Sequence, residues 1–172
     1  MTLSEMAQPR VVPAHTYLFE GGEGRVSLRQ LFGRRDQLAV YHTMPDRYGL
    51  TDSPAGRADL VRRLRRADSR LVLVSRAPYA KLEQYWRHLG WDLPCYSAVD
   101  GGFTHDFAEA GRVAPLPDED WGGDVPGLSF FRRERDKVFH TKSVAVPGLD
   151  LVVTTLGLLH RRRPHIPLEH TF

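Results

Sequence analysis

The sequence predicts an α/β sandwich: a central mixed sheet with flanking helices and a late β-hairpin. Three observations predict it. Two short apolar runs, Gln37 to His42 (QLAVYH) and Arg70 to Ser75 (RLVLVS), read as buried strands of parallel-sheet type. Each leads into a punctuated helical stretch, so strand and helix alternate. Late in the chain, Leu128 to Arg132 (LSFFR) and Lys137 to Thr141 (KVFHT) flank a charged turn, which is a hairpin signal.

Taken in order, residues 1–15 read as an N-terminal arm, with Pro9 and Pro13 in a polar lead. Tyr17 to Phe19 suits a short edge strand. Gly21-Gly22-Glu23-Gly24 is a turn, since glycine reaches positive φ without a Cβ clash. Ser27 caps a short helical turn through Leu31, and Gly33 ends it. After the first buried strand, Ser53 is a good N-cap and Pro54 suits the first helical position. Leu60, Val61, Leu64 and Ala67 form the apolar face of that helix, with arginines opposite.

The second strand is followed by Pro78, which opens a helix over Tyr79 to Leu89. Leu82, Tyr85, Trp86 and Leu89 fall at helical spacing, and Gly90 suits the C′ position. Trp91 to Ala98 returns to the sheet as a short strand or edge. Residues 100–123 read as a long loop, with Pro115, Pro117 and a glycine pair. Pro147 to His160 reads as a helix packed on the sheet, although its Val and Thr residues favour strand. The order β-α-β-α-β, then hairpin, then helix completes a thioredoxin-like sandwich through right-handed crossovers.

The chain has 172 residues, which fits one domain spanning 1–172, with residues 161–172 as a basic tail. A net charge of +3 is too mild for a dedicated nucleic-acid binder. Arginines cluster at 62–66, 132–135 and 161–163 without interleaved aromatics, so they read as solvated faces. No apolar run approaches the roughly 20 residues of a membrane span. The start of the chain lacks the apolar core of a secretory signal, so a cytoplasmic location is expected. The single cysteine, Cys95, cannot form an internal disulfide.

Several blocks carry a family resemblance. Ser27-x-x-Gln-Leu-Phe-Gly-Arg-Arg-Asp-Gln-Leu-Ala-Val-Tyr-His-Thr-Met44 is one. Val74-Ser-Arg-Ala-Pro-Tyr-Ala-Lys-Leu82, Gly90-Trp91, Pro126 to Phe131 and Lys137 to Thr141 follow in order. Together they resemble an uncharacterised, bacteria-rich thioredoxin-like family related to the peroxiredoxin and alkyl hydroperoxide reductase branch. The resemblance covers about residues 17–160. It implies a thioredoxin fold and oxidoreductase ancestry. Similar proteins carry a cysteine-containing loop after the Tyr-His-x-Met block; here residues 43–52 contain none. Thiol-disulfide or peroxidase activity therefore does not carry over, and fold alone does not specify a reaction.

His42 ends a central strand, where open α/β sheets gather their ligands. His140 lies in the hairpin expected beside that strand, and His105 lies in the long loop. Three imidazoles with an open position suit a mononuclear metal, copper or iron ahead of zinc. Asp46, Asp52 and Asp106 are available as a carboxylate ligand or an acceptor that orients an imidazole. His42 and Tyr48 are the candidate catalytic residues. Arg47, Tyr41 and Arg76 are the candidate substrate contacts, the arginines through their bidentate forks. Tyr41, Tyr48, Trp86, Trp91, Phe103 and Phe107 can line an aromatic pocket. No dinucleotide fingerprint or P-loop is present, so neither NAD nor a nucleotide is expected.

Two other readings of His42 stand beside the metal site: a hydrogen-bonded core histidine, and a metal-free acid–base group. Cys95, between Pro94 and Tyr96, is the alternative nucleophile; a lone cysteine acts as a peroxidatic thiolate only where a positive neighbour lowers its pKa. The expected activity is therefore an oxidoreductase-like enzyme without dithiol chemistry, acting on a small organic substrate. The alternatives are a non-catalytic binding module, as a homodimer, and a one-cysteine peroxidase. His15 and His88 read as surface residues. Val125-Pro126 occupies the place of a thioredoxin-type cis-proline.

Overall fold

Strand and helix alternate as the sequence predicts, and all the strands among the described residues join one sheet. The computed structural model describes residues 9–42, 62, 66, 68–89, 93–98, 102–107 and 127–144. The elements are β1 (Arg10–Val12), β2 (Leu18–Gly21), β3 (Gly24–Ser27), α1 (Leu28–Leu31), β4 (Gln37–His42) and β5 (Ser69–Ser75). They continue with α2 (Tyr79–Leu89), β6 (Cys95–Ser97), α3 (Gly102–Phe107), β7 (Gly127–Glu134) and β8 (Lys137–Val144). The eight strands lie in the order β1-β8-β7-β4-β5-β6-β2-β3.

The parallel centre is β4-β5-β6, and every other pairing is antiparallel. β4 and β5 read as continuous apolar runs because both of their faces are covered. Leu38, Val40, Val72 and Val74 face a core shared with Phe103 and Phe107 of α3 and Phe131 of β7. Alternation sends Ala39, Tyr41, Leu71 and Leu73 to the other face.

Local chemistry explains the ends of the elements. Ser27 accepts from the Gln30 amide, and the Gln30 side chain accepts from the Ser27 amide, forming a capping box at α1. Gly33, at φ 57°, stops that helix. Pro78 supplies the carbonyl that the Leu82 amide donates to, opening α2. Leu82 and Trp86 form the buried stripe of α2, and the Trp86 Nε1–H donates to the Leu93 carbonyl at 2.6 Å. The β7–β8 turn is only Arg135-Asp136, and Arg29 donates to both of their carbonyls at 3.2 and 2.6 Å.

Four expectations change. The arm includes a real strand: β1 pairs with β8, matching Arg10 to His140. Gly24–Ser27 is strand β3, so the glycine turn closes a hairpin. The strand expected at Tyr17 to Phe19 is Leu18–Gly21, held between β3 and β6 rather than at an edge. Part of the long loop, Gly102–Phe107, is helix α3, because Phe103 and Phe107, one turn apart, both enter the core. Arg62 and Arg66 are helical. The remainder of that helix, the 43–52 loop, the Val125–Pro126 bond, the 147–160 helix and the tail lie outside the described residues.

Candidate functional site

His42 ends β4 opposite Gly127 of β7, which has no side chain to compete for the space. Its imidazole is 1% exposed. Phe103 stacks against it with ring centroids 5.5 Å apart. Ser129, diagonal to His42 across the β4–β7 ladder, meets the imidazole Nε2 with its Oγ at 2.8 Å. His140 makes the matching contact on the neighbouring strand: its Nε2 lies 2.8 Å from the Ser143 Oγ. The two hydroxyls are 2.8 Å from each other. Both reach the Phe107 carbonyl, at 2.8 Å from Ser129 and 2.6 Å from Ser143.

The result is an unbroken run of polar contacts, His42–Ser129–Ser143–His140, with one backbone carbonyl of α3 above both hydroxyls. A β-bulge makes it possible. Residues 140 and 143 are an odd number of positions apart, so in a regular strand they would face opposite sides. The β7–β8 register shifts between Phe130, opposite Lys142, and Phe131, opposite His140. Thr141 is left without an opposite residue, and its Oγ1 donates to the Phe130 carbonyl at 3.1 Å. The extra residue turns Ser143 and His140 onto the same face.

Electrostatics fix the protonation states. Burial, and then the nearby His140, push the His42 pKa down to about 3. The imidazole is therefore neutral at physiological pH. His140 is also held below the ordinary imidazole value, by burial first and then by Arg10, against an opposing backbone hydrogen bond at Lys142. With both hydroxyls donating to the Phe107 carbonyl, their oxygens accept from Nε2–H of each imidazole. That tautomer leaves His42 Nδ1 as a bare lone pair, and Nδ1 has no partner among the described residues. The reverse tautomer would bury an unpaired N–H, the rarer and costlier state.

The metal triad expected from the sequence is not assembled. His42 and His140 approach one another, but two serine hydroxyls lie between their Nε2 atoms. His105 is on the outer side of α3, with its side chain 85% exposed and its Nδ1 3.2 Å from the Asp106 carboxylate. A helix that buries Phe103 and Phe107 must turn His105 outward. No group of three or more His, Cys, Asp or Glu side chains among the described residues is placed to hold a metal ion. Asp106 instead accepts the Tyr17 hydroxyl at 2.6 Å.

The aromatic pocket is also revised. Tyr41, Trp86, Phe103 and Phe107 are buried packing residues, and Tyr41 faces away from His42. Arg76 is half-buried just beyond β5, at the same end of the sheet as His42, whose register partner is Val74. Arg47, Tyr48, Trp91, Asp46 and Asp52 lie outside the described residues. His15 and His88 are exposed, as expected.

Cys95 opens β6 and is half-buried, packed against Ala77 and Leu82 on the α2 side. Its thiol is pushed up to about 11 by burial, and then by Glu83 and Glu23. A peroxidatic cysteine needs the opposite setting, with a cation that stabilises thiolate. Ser129 and Ser143 are the site residues that sequence reasoning misses. The available clue is a serine inside the apolar run Leu128-Ser-Phe-Phe131, a small hydroxyl where a core side chain belongs.

Solved structures with the same fold are peroxiredoxins. Peroxiredoxin Q of Xanthomonas campestris, in a cysteine-to-serine mutant form, matches with a TM-score of 0.63 at 14% identity, over 92% of this chain and 99% of that one. A cysteine-to-serine mutant of PrxQ from Xylella fastidiosa gives 0.59 at 11% identity, over 91% and 98%. Peroxidoxin BcpB of Mycobacterium tuberculosis gives 0.55 at 16% identity, over 83% and 92%. At such identities the likeness establishes the thioredoxin fold alone. No helix among the described residues is long and apolar enough to cross a membrane. No curated protein sequence matches the chain significantly. The family model described as "Bacterial protein of unknown function (DUF899)" matches residues 5–163, and the chain belongs to that family.

Proposed function

We propose that this protein is an oxidoreductase-like enzyme without dithiol chemistry, which binds a small organic substrate at the carboxyl end of β4 and uses His42 as its proton acceptor. The observation that carries this reading is a neutral, buried imidazole whose Nδ1 has no partner among the described residues while its other nitrogen is tied to a hydroxyl. A group held at about 3 is a poor free base. It is a good conduit: Nδ1 takes a substrate proton as Nε2 releases one to Ser129, so no lasting imidazolium forms. The relay runs with His140 as its Nδ1–H tautomer and both hydroxyls turned from the Phe107 carbonyl: Ser129 passes its proton to Ser143, Ser143 passes its own to His140 Nε2, and His140, which is partly exposed, releases its Nδ1 proton to solvent. Arg76, at the same end of the sheet, and Arg47 and Tyr48, which follow β4 in the sequence, are the substrate contacts of this reading. The peroxiredoxin neighbours support an oxidoreductase kind; one Xanthomonas campestris structure is described for alkyl peroxide reduction.

The test is ¹⁵N-imidazole NMR of the purified protein, titrated with small phenols and carboxylic acids, beside His42→Ala. The expected result is a neutral Nε2–H tautomer whose Nδ1 resonance shifts when a fragment binds. A protonated Nδ1, or an Nδ1 that no fragment moves, sinks the reading. Elemental analysis after exposure to copper, iron and zinc separates the metal version. Stoichiometric metal, lost in His42→Ala, would assign Nδ1 as a ligand instead. The near-complete burial of His42 also suits a non-catalytic binding module, in which case Nδ1 stays silent.

A further inference from the structure

We propose that a cavity between α2, β6 and the β2–β3 turn binds a small organic ammonium ion. The cavity has a volume of about 340 Å³, which is the size of a small-ligand site. It lies on the α2 side of the sheet: Cys95 is in register with Leu73, out of phase with the Val72 and Val74 face that meets α3. The inference is therefore independent of the His42 reading.

Three kinds of group converge there. Tyr79, Trp86 and Tyr96 supply aromatic wall. Glu23 and Glu83 supply negative charge from two separate elements, the hairpin turn and α2. The Tyr79 hydroxyl and the Cys95 thiol line the same space, and neither has a hydrogen-bond partner among the described residues. Gly22 leaves room for that hydroxyl: a Cβ there would come within 3.1 Å of it.

The sign of the ligand follows from the field. Burial raises the Tyr79 and Cys95 pKa values, and both carboxylates push them further the same way. A site that holds its own acids protonated disfavours an anionic guest. Arg87 is the one cation among the described lining residues, and its pairing with Glu83 at 2.9 Å leaves the second carboxylate, Glu23, as the excess negative charge of the lining. A bare metal ion does not suit the site, because Glu23, Glu83 and Cys95 do not form a convergent ligand set. An ammonium group on an organic body does suit it. The carboxylates balance its charge, the aromatic faces attract it, and the Tyr79 oxygen accepts an N–H.

The experiment is calorimetric titration of the whole chain with benzylammonium and, as the charge-reversed control, benzoate. Benzylammonium is expected to bind and to slow alkylation of Cys95 in the native protein, while benzoate does neither. Glu83→Gln and Glu23→Gln are each expected to weaken binding about two- to fivefold, the size of a partly exposed ion pair. Glu83 is half-exposed on α2, so that variant keeps the test sound if Glu23→Gln, which loses the Tyr96 hydrogen bond, unfolds the turn. Equal binding of both probes, no binding at millimolar concentration, or affinity unchanged in Glu83→Gln overturns the proposal.

Discussion

On the α3 side of the sheet, His42 gives Nε2 to Ser129, and its Nδ1 has no partner among the described residues. On the α2 side, Cys95 has no hydrogen-bond partner among the described residues and meets the fields of two carboxylates. Both groups are pushed toward their neutral forms, and burial is the largest cause in each case. The consequences differ because the neighbours differ. A neutral imidazole with one nitrogen tied to Ser129 has a lone pair left on the other. A neutral thiol is inert. The lone cysteine is the residue a redox fold draws the eye to, yet the histidine face carries the organised polar chemistry.

The comparison breaks most readily at Phe103, which covers His42 and is 2% exposed. Phe103→Ala is expected to cost about 3–5 kcal/mol in urea unfolding. It should also bring the His42 pKa back toward the ordinary value by letting water in, measurable by NMR. An unchanged pKa would show that burial by Phe103 is not the cause. On the opposite face, Cys95 should react with iodoacetamide at pH 8 on the order of a hundredfold slower than a free cysteine, from its thiolate fraction. Rapid modification of the native protein would refute the inert-thiol account.

Ser129 and Ser143 sharpen the comparison by their different burial. Ser129 is fully buried and serves three partners, so Ser129→Ala should cost about 1–3 kcal/mol of stability. The pH dependence gives a further check. The folded His42 pKa, about 3, is below the unfolded 6.5. Between these values the unfolded chain binds the extra proton. Stability is thus fully present above about pH 6.5 and falls by about 1.4 kcal/mol per pH unit as pH drops toward 3. His42→Phe should flatten that slope by about one proton; an unchanged slope would assign it elsewhere. The smallest effect is expected for Ser143→Ala, about 0.5–1.5 kcal/mol, because Ser143 is half-buried and water can replace it.

Much of the scaffold was legible in the residues. β4, β5, α2 and the β7–β8 hairpin follow from apolar runs, a helix-opening proline and a charged turn. The capping box at Ser27 and Gln30 is local chemistry between residues three apart. β1 was not legible: a three-residue strand has too little pattern, and only β8 gives its amides partners. α3 was hidden for a related reason. Two phenylalanines one turn apart carry no helical signal of their own, and the core beneath them decides the matter.

For the site, the sequence by itself determined that residues 43–52 contain no cysteine and that His42 ends a central strand. It also placed His140 in the hairpin that pairs beside β4. Tertiary structure decided what these histidines do. The bulge at Thr141 turns His140 and Ser143 to one side, the β4–β7 register sets Ser129 beside His42, and α3 supplies the carbonyl that holds both hydroxyls. The last two are contacts between residues far apart in the chain, at least 22 positions for the Phe107 carbonyl and 87 for His42 and Ser129. Periodicity and propensity report which face a residue prefers within its own element. They do not report which hydroxyl waits on the next strand, because register and burial arise only when the elements pack together.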